Sequence, residues 1–299
     1  MMRIAHWIVV GTVIGSPALA LAAEAHATAE GHGLSLHAVD IGRIGPLPIT
    51  NSMVVTWIVG GLLILFSWLA TRRARQVPAG LQNFWEWIVE GLHNFLEGIV
   101  GPKLVRKTFW FFATIFLFIV SANWFGLIPG VGTVGWGIRT EHGFRVTDPL
   151  LRGADADMNM TLAMALIFFV LWTVWALQVN GVRGFFLHLF GPKGDTAGLL
   201  KFLMIFVFVL VGVLEVVSIL FRPVSLSFRL FGNIFAGENM LETMIGLAPG
   251  VASWLIPIPF YFLEIMVGIV QALVFFLLTS VFTLLICEEG EEGHESAAS

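Results

Sequence analysis

Charge is scarce in this chain. Only 12% of its 299 residues are Asp, Glu, Lys or Arg, about half the ~25% usual for a soluble domain. The single cysteine, Cys287, excludes an intrachain disulfide framework and any cysteine-rich metal site. A lone thiol near a helix end reads as packing. Tyr261 is the only tyrosine. There is no basic stripe or RNA-type motif to engage nucleic acid, and no glycine-rich phosphate loop, so no nucleotide chemistry belongs to this chain. Neither a cofactor nor a metal is expected. No sustained internal repeat is visible, which weighs against a two-halves transporter. The net charge of -4 carries little information, because the sign varies along the chain.

Long apolar runs take the place of charge. Five stand out, at approximately Asn51–Ala70, Phe109–Ile128, Thr161–Asn180, Phe202–Leu247 and Ser253–Cys287. A perpendicular helix needs about 20 apolar residues to cross a bilayer. The expectation is an all-α polytopic membrane protein with about five membrane segments, its membrane domain spanning 49–287. The last two runs exceed the crossing length and must tilt, bend or run along the membrane. Pro223 removes a backbone hydrogen bond in the fourth, so a bend is expected there. Pro249 and Gly250 mark the turn before the fifth.

The loops give an orientation. Arg72, Arg73, Arg75, Lys103, Arg106, Lys107, Arg183, Lys193 and Lys201 fall on one side of the five-span arrangement, and Arg43, Arg139, Arg145 and Arg152 on the other. The positive-inside rule makes the first group cytoplasmic. The N-terminus is then outside, and the acidic tail 288–299 is inside. At the start, Arg3, the short apolar stretch Trp7–Ile14 and the small residues of Ala18–Ala23 suit a signal peptide over 1–23, followed by an external segment over 24–48. Gly-rich Pro129–Gly137 and polar Arg139–Asp157 form the longest external loop. In Leu81–Ile99, Phe84, Trp85, Ile88, Leu92, Phe95 and Ile99 recur at helical spacing among Gln82, Glu86, Glu90, His93 and Glu97. That pattern suits an amphipathic helix lying at the cytoplasmic interface, or one packed on its own membrane domain.

Arg229 is the most informative residue. It follows the fourth apolar run, in Pro223–Glu238, and an arginine does not shed its proton in a protein. Holding it mid-bilayer costs roughly 2.5–3.5 kcal/mol on insertion scales, so a carboxylate in or beside the membrane is its natural counterpart. At 100° per residue, Ser225 and Asn233 fall about 40° to either side of Arg229, Ser218 and Arg222 about 20° away, and Glu215 about 40°. All share one stripe of an apolar helix. Glu238 falls about 180° away, toward the final segment. At 1.5 Å per residue, Glu215 lies about 21 Å before Arg229 and Glu238 about 13 Å after it. One carboxylate lies toward the cytoplasm and one toward the outside, with a permanent cation between. A carboxylate in a low-dielectric site can exchange protons; two wet acidic half-paths split by an arginine pass no proton straight through. On the last segment Glu264, Gly268 and Gln271 share a face. Gln271 could hydrogen-bond near the guanidinium, and Glu264 could pair with Glu238 beside Tyr261. Each of these residues also has a plainer use. Ser218, Ser225, Asn233 and Gln271 serve equally as interhelical contacts, and Glu215 as a partner for Arg222.

Taken together, these residues resemble subunit a of F-type ATP synthase, the membrane stator beside the rotating c-ring. Phe112-Ala113-Thr114 through Asn123 and Gly126-Leu127-Ile128-Pro129-Gly130 resembles that family's second span. Ala156-Asp157-Met158-Asn159-Met160-Thr161 resembles the start of the next. Leu214-Glu215-Val216-Val217-Ser218, Pro223 through Asn233 and Ala236-Gly237-Glu238 form its most specific signature, completed by Leu263-Glu264 and Gln271-Ala272-Leu273.

The resemblance implies that Arg229 faces the c-ring carboxylates with Asn233 and Gln271 near it. It also implies that Glu238 and Glu264 line an outer half-channel, and Glu215 and Ser218 an inner one. Some family members carry a histidine in the outer pair; both residues are glutamates here, so no imidazole relay is available. The long leader and outer N-terminal segment exceed the usual pattern. The implied partners are c-ring subunits, peripheral-stalk b subunits, the remaining ATP synthase subunits and the lipid bilayer, in the inner (plasma) membrane of a bacterium. The implied role is proton translocation without enzymatic activity of the chain's own. The competing readings are a self-contained membrane transporter of an anionic solute bound at Arg229, and a structural anchor, which leaves the paired carboxylates unexplained.

Overall fold

A computed structural model describes residues 38–45, 47–132, 134–140, 143–190, 199–247 and 255–298. The expected signal peptide, most of the external N-terminal segment and the Pro249-Gly250 turn lie outside the described residues. Five long helices dominate: α1 (Asn51–Thr71), α2 (Leu81–Gly126), α3 (Met158–Phe190), α4 (Leu199–Leu247) and α5 (Ile258–Ala298). Each is long and apolar enough to cross a membrane. The acidic tail continues α5 as helix rather than ending with the apolar run.

Local chemistry explains the helix boundaries. Thr50 caps α1 by accepting from the Met53 amide at 3.4 Å. Asp157 Oδ1 accepts from the Asn159 amide at 2.9 Å in the first turn of α3, which satisfies an amide that the helix leaves without a partner. Gly101 breaks α2 with φ 78° and ψ 166°, a conformation that is essentially glycine's alone. Pro102 follows, where a missing N–H costs nothing at a new helix start. Helix α2 is therefore two helices in series: the amphipathic piece 81–100, then the spanning piece. Gly181 (φ 67°) breaks α3 in the same way. Helix α4 continues through Pro223.

The amphipathic piece packs on its own membrane domain. Gln82, Leu96 and Val100 are buried against the domain, and Phe95 stacks on Phe276 at 5.8 Å. Phe84 and Trp87 remain exposed on its other side, suited to a membrane interface.

The long loop expected to be external contains paired strands. Strands β4 (Gly135–Thr140) and β5 (Gly143–Pro149) pair as an antiparallel hairpin, with a bulge between Trp136 and Gly137. Trp136, Ile138, Phe144 and Val146 alternate with small or polar residues, the period of a strand; the glycines and arginines around them obscured that signal. A second hairpin, β1 (Asp40–Ile44) and β2 (Leu47–Thr50), leads into α1, and the short strand β3 (Pro129–Gly132) follows α2.

The chain divides into two compact units. Ala38–Phe235 with Leu263–Ser299 forms the larger, and Ala236–Phe262 belongs to the smaller. In the larger unit, Phe112 and Phe276 are fully enclosed in one apolar core with Leu96, Ile119 and Leu230. The contacts within it fix helix directions. Trp172 and Asn180 of α3 donate to the carbonyls of Phe282 and Ile286 of α5, at 3.0 and 2.9 Å, so α3 and α5 run parallel. Asn123 pairs with Gly268 while Phe112 packs on Phe276, so α2 runs against α5. Thr161 meets Ser227 while Trp172 meets Arg222, so α3 runs against α4. Consecutive membrane crossings demand this alternation.

Candidate functional site

Helix α4 exposes a polar strip on an apolar surface. Ser218, Ser225, Arg229 and Asn233 are all exposed, among exposed Leu214, Val217, Phe221 and Phe228. The opposite side, carrying Leu226, Ser227, Leu230 and Ile234, is buried. The strip read from helical spacing is thus present, and it faces out of the chain. Among the described residues no carboxylate makes an ion pair with Arg229.

Arg222 departs from that strip. It lies about 20° from Arg229 by helical angle, yet it is half-buried and sits over two aromatic faces, 4.4 Å from the centroid of Phe282 and 5.6 Å from that of Trp172. Quadrupole attraction of this kind favours a guanidinium at such a place, and Glu215 also interacts with it electrostatically. Glu215, two turns earlier, is half-buried.

Glu264 is buried at 5% exposure. Its Oε1 is enclosed and accepts no hydrogen bond among the described residues. Buried polar atoms normally have a protein or water partner. Glu238, in the smaller unit, is half-buried with one carboxylate oxygen enclosed. Tyr261, also in that unit, is half-buried. Gln271 is half-buried on α5, and no hydrogen bond joins it to Arg229 among the described residues. By contrast, Thr279, Ser280 and Thr283 are wholly buried but spend their hydroxyls on carbonyls of their own helix, at 2.6–2.8 Å. They are satisfied packing groups.

Several polar contacts were not anticipated from the sequence, although Asn123, Asp157 and Thr161 stand in the motifs quoted above. Asn123 Nδ2 donates to the Gly268 carbonyl at 3.2 Å and Trp124 Nε1 to the Ile265 carbonyl at 3.3 Å, gripping α5 beside Glu264. Ser52 Oγ donates to Asp157 Oδ2 at 2.6 Å, and Thr161 Oγ1 lies 2.9 Å from Ser227 Oγ. Arg152, anticipated only as an external loop charge, is buried, with its guanidinium 5.9 Å from the Phe235 ring centroid; Asp155 is buried in the same segment. For Asn123 and Ser227 a polar residue inside an apolar run was the one signal available, and it does not name a partner; Arg152 and Asp155 stand in a polar stretch where a charge is unremarkable.

Comparison with known proteins agrees with this architecture. The model of the ATP synthase A chain family matches residues 53–283. The chain is 33% identical to ATP synthase subunit a of Gloeobacter violaceus over 263 residues, covering 86% of this chain and 94% of that one. It is 34% identical to ATP synthase subunit a 1 of Pelobacter propionicus over 232 residues, covering 78% and 85%. It is 33% identical to ATP synthase subunit a of Helicobacter pylori over 246 residues, covering 82% and 92%. A multi-pass helical chain, matched along nearly all of its membrane domain, belongs to the ATP synthase subunit a family.

Proposed function

We propose that this chain is the proton-translocating stator subunit of a rotary ATP synthase, with Arg229 facing the carboxylates of a c-ring. One observation carries the reading: a permanent cation lies exposed on an apolar spanning helix, in a polar strip with Ser218, Ser225 and Asn233, without a carboxylate partner among the described residues. Its counter-charge must then come from another chain. A solute transporter would hold such a cation in an internal, concave site; here it opens outward.

Protons enter from outside past Glu238 and Glu264 and neutralise a ring carboxylate, which then turns into the lipid. Nearly a full turn later that carboxylate reaches the inner path at Glu215 and Ser218 and loses its proton as Arg229 attracts the anion. Asn233 and Gln271 supply neutral hydrogen bonds beside the guanidinium. The membrane voltage contributes about 2.3 kcal/mol per charge per 100 mV. The partners in this reading are c-ring subunits, peripheral-stalk b subunits and the remaining ATP synthase subunits. The chain sits in a bacterial inner membrane with its N-terminus outside. Replacing Arg229 by Ala abolishes ATP-driven proton pumping in membrane vesicles that hold normal amounts of the complex; full pumping by that variant sinks the reading.

A further inference from the structure

Arg229 faces outward only if α4 is held at one rotation about its axis. Leu226 and Leu230 pack in the core and Arg222 lies over Trp172 and Phe282, and the Thr161–Ser227 contact adds a directional bond close to Arg229. Both hydroxyls are completely buried and lie 2.9 Å apart, one on α3 and one on α4. Thr161 Oγ1 also lies 3.1 Å from the Met158 carbonyl, and either hydroxyl can donate to the other across the two helices.

Ser227 is two residues before Arg229, about 200° around the helix. A bond on the Ser227 side presents Arg229 on the opposite side. The anchor on α3 is itself held, because Thr161 lies in the helix's first turns, and Asp157 caps that helix while accepting from Ser52 of α1 at 2.6 Å. Side-chain bonds thus run from α1 through the start of α3 to α4. Dispersion contacts between apolar helices tolerate small rotations, whereas a buried hydroxyl loses its partner when the helix turns.

We propose that the Thr161–Ser227 hydroxyl pair is a positioning element that fixes the rotation of α4 and so aims Arg229 out of the chain. Its consequence for pumping rests on the role proposed above for Arg229; its effect on helix rotation does not. The test uses the purified, assembled complex in lipid vesicles, with Cys287→Ser and spin labels on cysteines at Leu220 of α4 and Val170 of α3. Both positions are exposed and away from Arg229. Thr161→Val, which keeps the shape and removes the hydroxyl, and Ser227→Ala should each shift the inter-label distance beyond the width of the unsubstituted distribution. Both should lower protons pumped per ATP hydrolysed several-fold at equal amounts of assembled chain. Thr161→Ser, which keeps the hydroxyl, should retain both values. If a single variant fails to assemble, the double variant Thr161→Val/Ser227→Ala leaves no hydroxyl unsatisfied and carries the same measurement. An unchanged distance overturns the proposal, and a shifted distance with full pumping overturns the aiming of Arg229. Full pumping by Arg229→Ala would instead remove the functional reading and leave the distance result standing.

Discussion

Arg229 and Glu264 present opposite electrostatic problems. The guanidinium is exposed on an apolar helix, and the carboxylate is enclosed within the chain. Lysine in place of Arg229 would keep a charge only while protonated, and an apolar site lets an ammonium lose its proton. Arg229→Lys should therefore fail in ATP-driven pumping as Arg229→Ala does, at unchanged chain levels. Glu264→Gln keeps the volume and removes the titratable group. It should leave the amount of chain in the membrane unchanged and slow coupled proton flux several-fold in vesicles; unchanged flux would reduce Glu264 to a packing residue. Both residues were identifiable from the sequence because charges in long apolar runs are rare. Asn123 was not, although it grips the carbonyl one turn from Glu264, because an isolated amide in an apolar run names no partner.

Between elements, glycines decide how closely helices approach. A Cβ built on Gly268 would lie 3.1 Å from the Asn123 Cβ and 3.7 Å from Trp124 Cδ1. The Asn123 Cβ is fixed to its backbone, so relief requires α2 and α5 to separate, which weakens both hydrogen bonds between them. Gly268→Ala should lose roughly 1–3 kcal/mol of stability, the usual range for overpacking, read by unfolding in detergent. Gly101→Ala should cost a similar amount, about 1–3 kcal/mol, because its backbone conformation is closed to alanine. Gly232 makes a useful contrast, since nothing lies within 4 Å of a Cβ there. Gly232→Ala should leave the isolated chain as stable as before; lost assembly or pumping in the complex would then report a partner helix packed against this part of α4. The amphipathic nature of 81–100 was legible in its periodicity. Its packed face was not fully so: Leu96 and Val100 are buried, whereas Phe84 and Phe95 are exposed. Aromatic residues suit both a core and a membrane interface, so composition does not tell the two sides apart.

For the whole molecule, the alternating directions of α2, α3, α4 and α5 accord with five crossings. Reporter fusions test the proposed sidedness: green fluorescence from a C-terminal fusion and alkaline phosphatase activity from fusions in the β4–β5 hairpin are the expected pair. The reverse pattern would overturn the orientation. The sequence by itself determined the membrane class, the five apolar runs and the polar strip of α4, because crossing length and the 100° helical period are local properties of the chain. It also carried the family signature, through motifs in a recognisable order. Only the tertiary structure decided that the strip faces outward, that Arg222 lies over Trp172 and Phe282, and that Thr161 meets Ser227. Those outcomes depend on which helices become neighbours and at what rotation. Contacts between residues scores of positions apart set both, and no local pattern encodes such contacts.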